Sequence, residues 1–170
     1  YPACTPRVGY PIEIQVLWIR LLRQLARLNE AGAREKWDGL AAKAQASLER
    51  FWIEDAGWFA DVLEAPEGVP AAEAVLDTRL RPNQLLAITL GCVTGVRARR
   101  MVDAATRHLL VPGALRSLAP LAVDPPRPLH AADGRLLNDS LHPYRGHYQG
   151  DEDTQRKPAY HNGTAWVWWL

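Results

Sequence analysis

Apolar residues recur at helical spacing over residues 11–30, where Ile14, Leu17, Leu21, Leu25 and Leu28 stand three, four or seven apart. That period predicts an amphipathic helix, and Pro11 suits its first turn because a fixed φ and a missing N–H cost nothing there. A second apolar set, Val16, Trp18, Ile19 and Leu22, widens the face and predicts neighbours on several sides. Residues 33–51 form a second helix with Trp37, Leu40, Ala44, Leu48 and Phe51 on one face, after a turn at Gly32. Residues 52–63 are rich in aromatics and acids without a helical period, and only short pieces near 58–62 alternate as a strand would. Ala65-Pro66-Glu67-Gly68-Val69-Pro70 reads as an exposed loop. Arg81-Pro82-Asn83-Gln84 opens a third helix that runs through Leu90, and a fourth over 96–110 stops at Pro112-Gly113. Residues 120–143, heavy in Pro, Asp, His and Gly, read as one long loop of the kind that is functional or mobile. The scaffold expected from this pattern is all-α, with a site built at one end of paired helices.

The chain has 170 residues, 48% of them apolar and 23% charged, which is one globular domain's worth. Its 20 basic and 19 acidic residues leave a net charge of +1, so no electrostatic footprint for nucleic acid or an anionic membrane is present. No apolar run approaches the roughly 20 residues that cross a bilayer. A neutral polar substrate suits that balance. Cys4 and Cys92 are far apart and stand alone, which suggests neither a disulfide framework nor a metal site and favours a reducing, cytoplasmic setting. No Gly-rich phosphate cradle, nucleophile triad order or redox Cys pair is visible, so no cofactor is implied. The chain opens at Tyr1 without an initiator methionine, and it is expected to be a piece of a longer protein.

Residues 160–170 join Tyr160, His161, Asn162 and Thr164 to Trp166, Trp168 and Trp169. Such a mixture suits a pyranose, whose C–H faces stack on flat aromatics while its hydroxyl rim needs donors and acceptors. The other reading is a buried aromatic segment capped by Thr164 or Asn162. His161 stands out among the histidines because a neutral imidazole both donates and accepts. His108, His130, His142 and His147 lie on a helix or in the Pro-rich segment without acids at metal spacing.

Four strings in one order resemble the C-terminal glucosidase domain of glycogen debranching enzymes, the amylo-α-1,6-glucosidases. They are Thr5-Pro6-Arg7-Val8-Gly9-Tyr10-Pro11-Ile12-Glu13-Ile14-Gln15-Val16-Leu17-Trp18, then Leu80-Arg81-Pro82-Asn83-Gln84-Leu85, then Leu115-Arg116-Ser117-Leu118, and finally Tyr144 through Trp168. The resemblance implies an all-α fold, a partial (α/α)6 toroid of about three helical hairpins with long rim loops. Residues 1–170 would then be the interior part of one glucosidase domain, incomplete at both ends. An incomplete ring exposes apolar surface where further hairpins pack, which favours self-association.

In activity, the resemblance implies that the full-length protein is a glycoside hydrolase. It would remove α-1,6-linked glucose from glycogen or a limit dextrin with two carboxyl groups, inverting the anomeric centre because water must fit between them. The general acid is expected before Tyr1 and the general base after Leu170, so no catalytic residue and no metal ligand is assigned within the chain, which is expected to be inactive alone. Substrate contacts are expected from Arg7, Glu13, Arg81, Asn83, Gln84, Tyr148, Tyr160, His161, Asn162, Thr164 and Trp166. Several have a structural alternative: Glu13 as a helix N-terminal carboxylate satisfied by the macrodipole or Arg7, Arg81, Asn83 and Gln84 as a capping knot. Asp61 and Asp77 read as solvated loop acids, and Arg116 as an arginine tying loops together. Two departures stand out: the segment from Leu118 to Tyr144 is long and stiffened by Pro125-Pro126 and Pro128, and Val167 stands where many relatives have proline. Another toroid glycosidase of the trehalase, glucoamylase or processing-glucosidase type is one rival, and a non-catalytic glucan-binding module another.

Overall fold

A computed structural model describes residues 5–168. Strand β1 (Gly9–Pro11) runs straight into helix α1 (Ile12–Leu28), and α2 (Ala31–Ser47) packs back along it. A 3-10 turn over Leu48–Phe51 leads to the hairpin β2 (Trp52–Ile53) and β3 (Trp58–Phe59), then to β4 (Val62–Glu64) and β5 (Val75–Asp77). Pro82–Leu85 form a second 3-10 turn, followed by the one-turn helix α3 (Leu86–Thr89) and by α4 (Gly95–His108). Strands β6 (Leu110–Val111) and β7 (Ala114–Arg116) form a hairpin. After a long irregular segment come a π-turn over Glu152–Arg156, helix α5 (Lys157–Tyr160) and strand β8 (Ala165–Trp166).

The strands build three small antiparallel sheets, ordered β1-β4-β5, β2-β3 and β6-β7-β8. This overturns the all-α, partial-toroid expectation: the described residues form five α-helices and eight strands in a mixed α and β arrangement, with one long helical hairpin rather than three. The reason lies in length. Strands of two or three residues complete hardly one period of alternation, so no period-two signal is available to read, while Pro66, Pro70, Pro112 and Gly113 break the helical runs between them. The helices themselves lie close to where the apolar pattern predicts.

The core has two centres. The larger joins Ile12, Val16 and Ile19 of α1 to Leu48, Phe51, Phe59, Leu63 and Met101, and the smaller joins Leu80 to Ala104, Ala105 and Leu109. Helix α4 bridges them, because Met101 and Ala104 lie one turn apart on one face. For α1 the buried stripe is Ile12, Val16, Ile19, Leu22 and Ala26, the narrower of the two apolar sets with Trp18 left out. The set at 14, 17, 21 and 28, with Trp18 beside it, faces outward. An exposed apolar stripe of that size on one helix is unusual, and it follows from α2, α3 and the Pro82–Leu85 turn packing against only part of α1.

Gly9 lets β1 approach β4. It sits at φ 120°, and a Cβ there would lie 2.2 Å from the Leu63 carbonyl oxygen, so no L-residue fits without moving the strand that carries Arg7 to Glu13.

The burial pattern of α1 makes a direct test. Ile19→Ala is expected to cost about 2–5 kcal/mol in urea unfolding, and Leu21→Ala to stay within about 0.5 kcal/mol. Equal losses would mean that both faces of the helix are covered.

Candidate functional site

Five chain segments meet at one end of α1. Arg7 lies two residues before β1 and Glu13 in the first turn of α1, where the helix dipole favours a carboxylate. Asp61 precedes β4 and is held by its backbone, accepting from the Ile12 N–H at 3.0 Å and donating to the Asp77 carbonyl at 2.9 Å. Arg81 sits just ahead of the Pro82–Leu85 turn, and Ser117 follows β7. His161 and Asn162 come from the turn after α5.

The Arg7 guanidinium is the hub. It donates to both Glu13 carboxylate oxygens at 2.5 and 2.7 Å and to both Asp61 oxygens at 2.8 and 3.0 Å. Arg81 stands on the other side of Asp61, with its Nε 3.3 Å from Oδ2. Its two terminal nitrogens reach the far segments: Nη1 donates to the carbonyls of Ser117, at 3.0 Å, and His161, and Nη2 donates to Asn162 Oδ1 at 3.0 Å. Ser117 completes the tie by accepting at its Oγ from the Gly163 N–H at 2.9 Å and donating to the Tyr160 carbonyl at 3.2 Å. Gly163, at φ 147°, is the only residue type that fits here, because a Cβ would meet the Arg145 backbone at 2.7 Å.

Asp61 and Asp77 are therefore not the solvated loop acids that the sequence suggests; their side chains are fully buried, each against arginine. Asp77 pairs with Arg79, whose guanidinium also lies 4.0 Å from Glu64, while Arg127 bonds Glu64. Burial pushes the Asp61 carboxyl above its ordinary range, against the pull of Arg81 and Arg7. Burial also pushes Arg81 down, to about 10, which leaves it a cation at neutral pH. For Arg7 burial works in the same direction, but the bonds and charges of Glu13 and Asp61 outweigh it and raise its pKa.

These residues wall a cavity of about 370 Å³ lined by Thr5, Arg7, Glu13, Arg81, Asn83, Ser117, His161 and Trp168. That size lies in the roughly 300–1,000 Å³ range of small-molecule sites. Thr5, Asn83 and His161 face it with side chains that make no hydrogen bond among the described residues. Burial, then the charges of Arg81 and Arg7, lower the His161 pKa, so its imidazole is neutral near pH 7 and offers one donor and one acceptor. The indole of Trp168 is fixed by its Nε1 donating to the Leu115 carbonyl at 3.1 Å. A larger groove of about 640 Å³ lies between β4 and the Pro-rich segment, but its walls are Pro6, Val8, Val75, Leu129 and several prolines, and its Arg79, Arg127 and Arg145 are already bonded. Among the described residues the smaller cavity holds the polar groups that make no hydrogen bond, and it is the better candidate.

Arg7, Glu13, Arg81, Asn83 and His161 of the sequence-derived residues thus converge on one cavity. The other six stand outside its wall. Gln84 is buried and accepts from the Phe59 N–H at 2.9 Å; Asn162 braces Arg81; Thr164 donates to the Ala159 carbonyl at 3.1 Å. Tyr148, Tyr160 and Trp166 form an aromatic group beside His161. Thr5, Ser117 and Trp168 are the lining residues absent from the sequence-derived set. Each lies within a family-like string, so position in those strings was the available signal. The expected acid and base carboxylates, placed before Tyr1 and after Leu170, lie outside the described residues. Among the described residues no three His, Cys, Asp or Glu side chains are grouped as a metal ion requires, and no helix is long and apolar enough to cross a membrane.

Two measurements check this geometry. Arg7→Met strips Glu13 of its partner and leaves Asp61 buried with only Arg81 opposite, and is expected to cost roughly 3 kcal/mol in urea unfolding. A loss below about 0.5 kcal/mol would contradict the clamp. In an NMR pH titration the His161 midpoint is expected below the ordinary 6.5, since the folded state resists the proton; this group's contribution to stability is then present above that value and lost as the pH falls through it. A midpoint at or above 6.5 would remove the neutral imidazole from the site.

The amylo-alpha-1,6-glucosidase family matches residues 2–125, close to three quarters of the chain. That span covers Thr5, Arg7, Glu13, Arg81, Asn83 and Ser117 of the cavity wall. No curated protein matches the chain significantly. With the match spanning most of the chain and six of the eight wall residues, the chain belongs to the amylo-alpha-1,6-glucosidase family, that of the C-terminal domain of glycogen debranching enzymes.

Proposed function

We propose that the cavity binds the glucose unit at an α-1,6 branch of a glycogen-like glucan and that the chain is the substrate-binding part of an amylo-α-1,6-glucosidase. The observation that carries this reading is the cavity wall: a neutral imidazole, a free amide and a free hydroxyl beside a paired Glu13–Arg7 and an indole. A sugar rim needs mixed donors and acceptors rather than one sign of charge, and the paired carboxylate and guanidinium still have lone pairs and N–H groups to offer at their edges. Among the described residues the wall holds one carboxylate, Glu13, and it is clamped by Arg7. Glycoside hydrolysis uses two carboxyl groups across the bond, so in this reading the reacting acid and base are supplied from outside the described residues, in the full-length protein. A cytoplasmic setting belongs to the same reading. The family match supports a glycoside hydrolase segment acting in glycogen debranching.

The test uses the full-length protein with three substrates: a branched limit dextrin, maltose and trehalose. Preferential glucose release from the dextrin is expected, and Asn83→Ala is expected to raise KM for it about tenfold through one or two lost hydrogen bonds, with the fold intact. Preference for maltose or trehalose, or an unchanged KM in Asn83→Ala, would overturn the reading.

A further inference from the structure

The groove between β4 and the Pro-rich segment has a chemistry of its own. It encloses about 640 Å³, and seven of its eighteen lining residues are prolines, with no aromatic side chain among them. The Pro-rich wall is held by its own bonds. The Val123 N–H donates to the Leu141 carbonyl at 2.9 Å and the Leu137 N–H to the Leu129 carbonyl at 2.7 Å, while Asn138 accepts from the Leu129 N–H and donates to the Arg127 carbonyl, both at 2.8 Å. Proline rings of fixed φ have little freedom left to lose, so the groove offers rigid apolar faces to a ligand.

Its polar groups carry one sign in excess. Arg79, Arg127 and Arg145 line it against Glu64 alone, with the buried Asp77 behind Arg79. Arg127 pairs with Glu64 and Arg79 with Asp77, which leaves Arg145 without an acid. Arg145 donates to the carbonyls of Thr154 and Leu137, and no carboxylate among the described residues lies within ion-pair distance of it. Arg79 is only 4% exposed; it uses Nε and Nη2 on Asp77, and its Nη1 makes no hydrogen bond among the described residues. Sheltered cations with unused N–H groups favour an anion, and a carboxylate matches the guanidinium fork. The walls favour a flat ring, whose faces pack on proline C–H groups and on guanidinium planes.

We propose that this groove binds a small aromatic carboxylate, with its ring between the proline faces and its carboxylate on Arg145 and Arg79. The site is separate from the sugar cavity and touches its framework at one residue, Asn162, which lines the groove and accepts from Arg81 of the cavity wall.

Amide shifts of the isotopically labelled 170-residue chain, titrated with 2-naphthoate, 2-naphthamide and octanoate, test this. The amide shares the ring without the charge, and octanoate shares the charge without the ring. 2-Naphthoate is expected to shift the amides of Val75, Leu129 and Leu137 and to bind about tenfold more tightly than either of the others. Arg145→Gln is expected to weaken 2-naphthoate about tenfold and to leave 2-naphthamide within twofold. Val75→Trp, at an exposed position on the edge strand β5, is expected to fill the groove and weaken both at least tenfold. Near-UV circular dichroism checks the fold of each variant. Equal affinity for 2-naphthoate and 2-naphthamide, or an Arg145→Gln that loses both alike, overturns the role of the cations. Octanoate binding as tightly as 2-naphthoate overturns the aromatic ligand. Shifts confined to Asn83, Ser117 and His161, unchanged binding in Val75→Trp, or no binding at all overturns the site.

Discussion

One guanidinium holds this molecule's polar end together. Arg7 is shared between Glu13 on the first turn of α1 and Asp61 ahead of β4. Through Asp61 it is coupled to Arg81, which ties Ser117, His161 and Asn162 from the C-terminal part of the chain. Buried charges are costly unless each has a partner and its remaining donors are used. This network places acids and arginines alternately, so that no charge stands alone and residues more than one hundred positions apart are brought to one spot. A network of this kind gives little net stability over an apolar core, but it fixes one arrangement, which is what a binding site requires.

The chemistry of the cavity follows from that pairing. Because Glu13 is neutralised by Arg7 and Asp61 lies behind both, the wall presents no net field of one sign to a ligand. Burial, with the same two arginines, holds the His161 imidazole below its ordinary pKa. What remains for a ligand to meet is a set of neutral donors and acceptors beside an indole, which favours a polyhydroxylated neutral molecule over a phosphate or a carboxylate. The apolar, proline-walled groove nearby has more room and less to offer such a ligand, since its charged side chains are already bonded to one another and to the backbone.

The long helices and the residues that meet at the cavity were legible in the sequence, because helical periodicity over fourteen to seventeen residues is a strong signal and because Arg7, Glu13, Arg81, Asn83 and His161 sit in family-like strings. The sheets were not. Strands such as β2 and β6 are two residues long, too short for an alternation to show, and where the partner is distant, as when β7 pairs with β8 some fifty positions on, no local pattern marks it. That α1 is covered on one side only, rather than on several, is hidden for a related reason: both apolar sets fit a helix, and only the position of α2, α3 and the Pro82–Leu85 turn decides which one is covered. Asp61 and Asp77 read as loop acids because nothing in a linear reading says that carboxylates at these positions will be sealed by the guanidinium groups of Arg7, Arg79 and Arg81. The last aromatic residues looked like one sugar site and form two neighbouring features, since the turn at Gly163 sends His161 to the cavity and Trp166 to the surface.

The central claim is that a sugar enters the cavity organised by Arg7 and Arg81 rather than the larger groove. Chemical-shift mapping of the isotopically labelled chain with isomaltose tests it most directly, because the Arg81 Nε–H and the amides of Asn83, Ser117 and His161 report on one site while those of Val75, Leu129 and Leu137 report on the other. The account predicts concentration-dependent shifts confined to the first group. Shifts in the second group, or none in the first at saturating sugar, would contradict it.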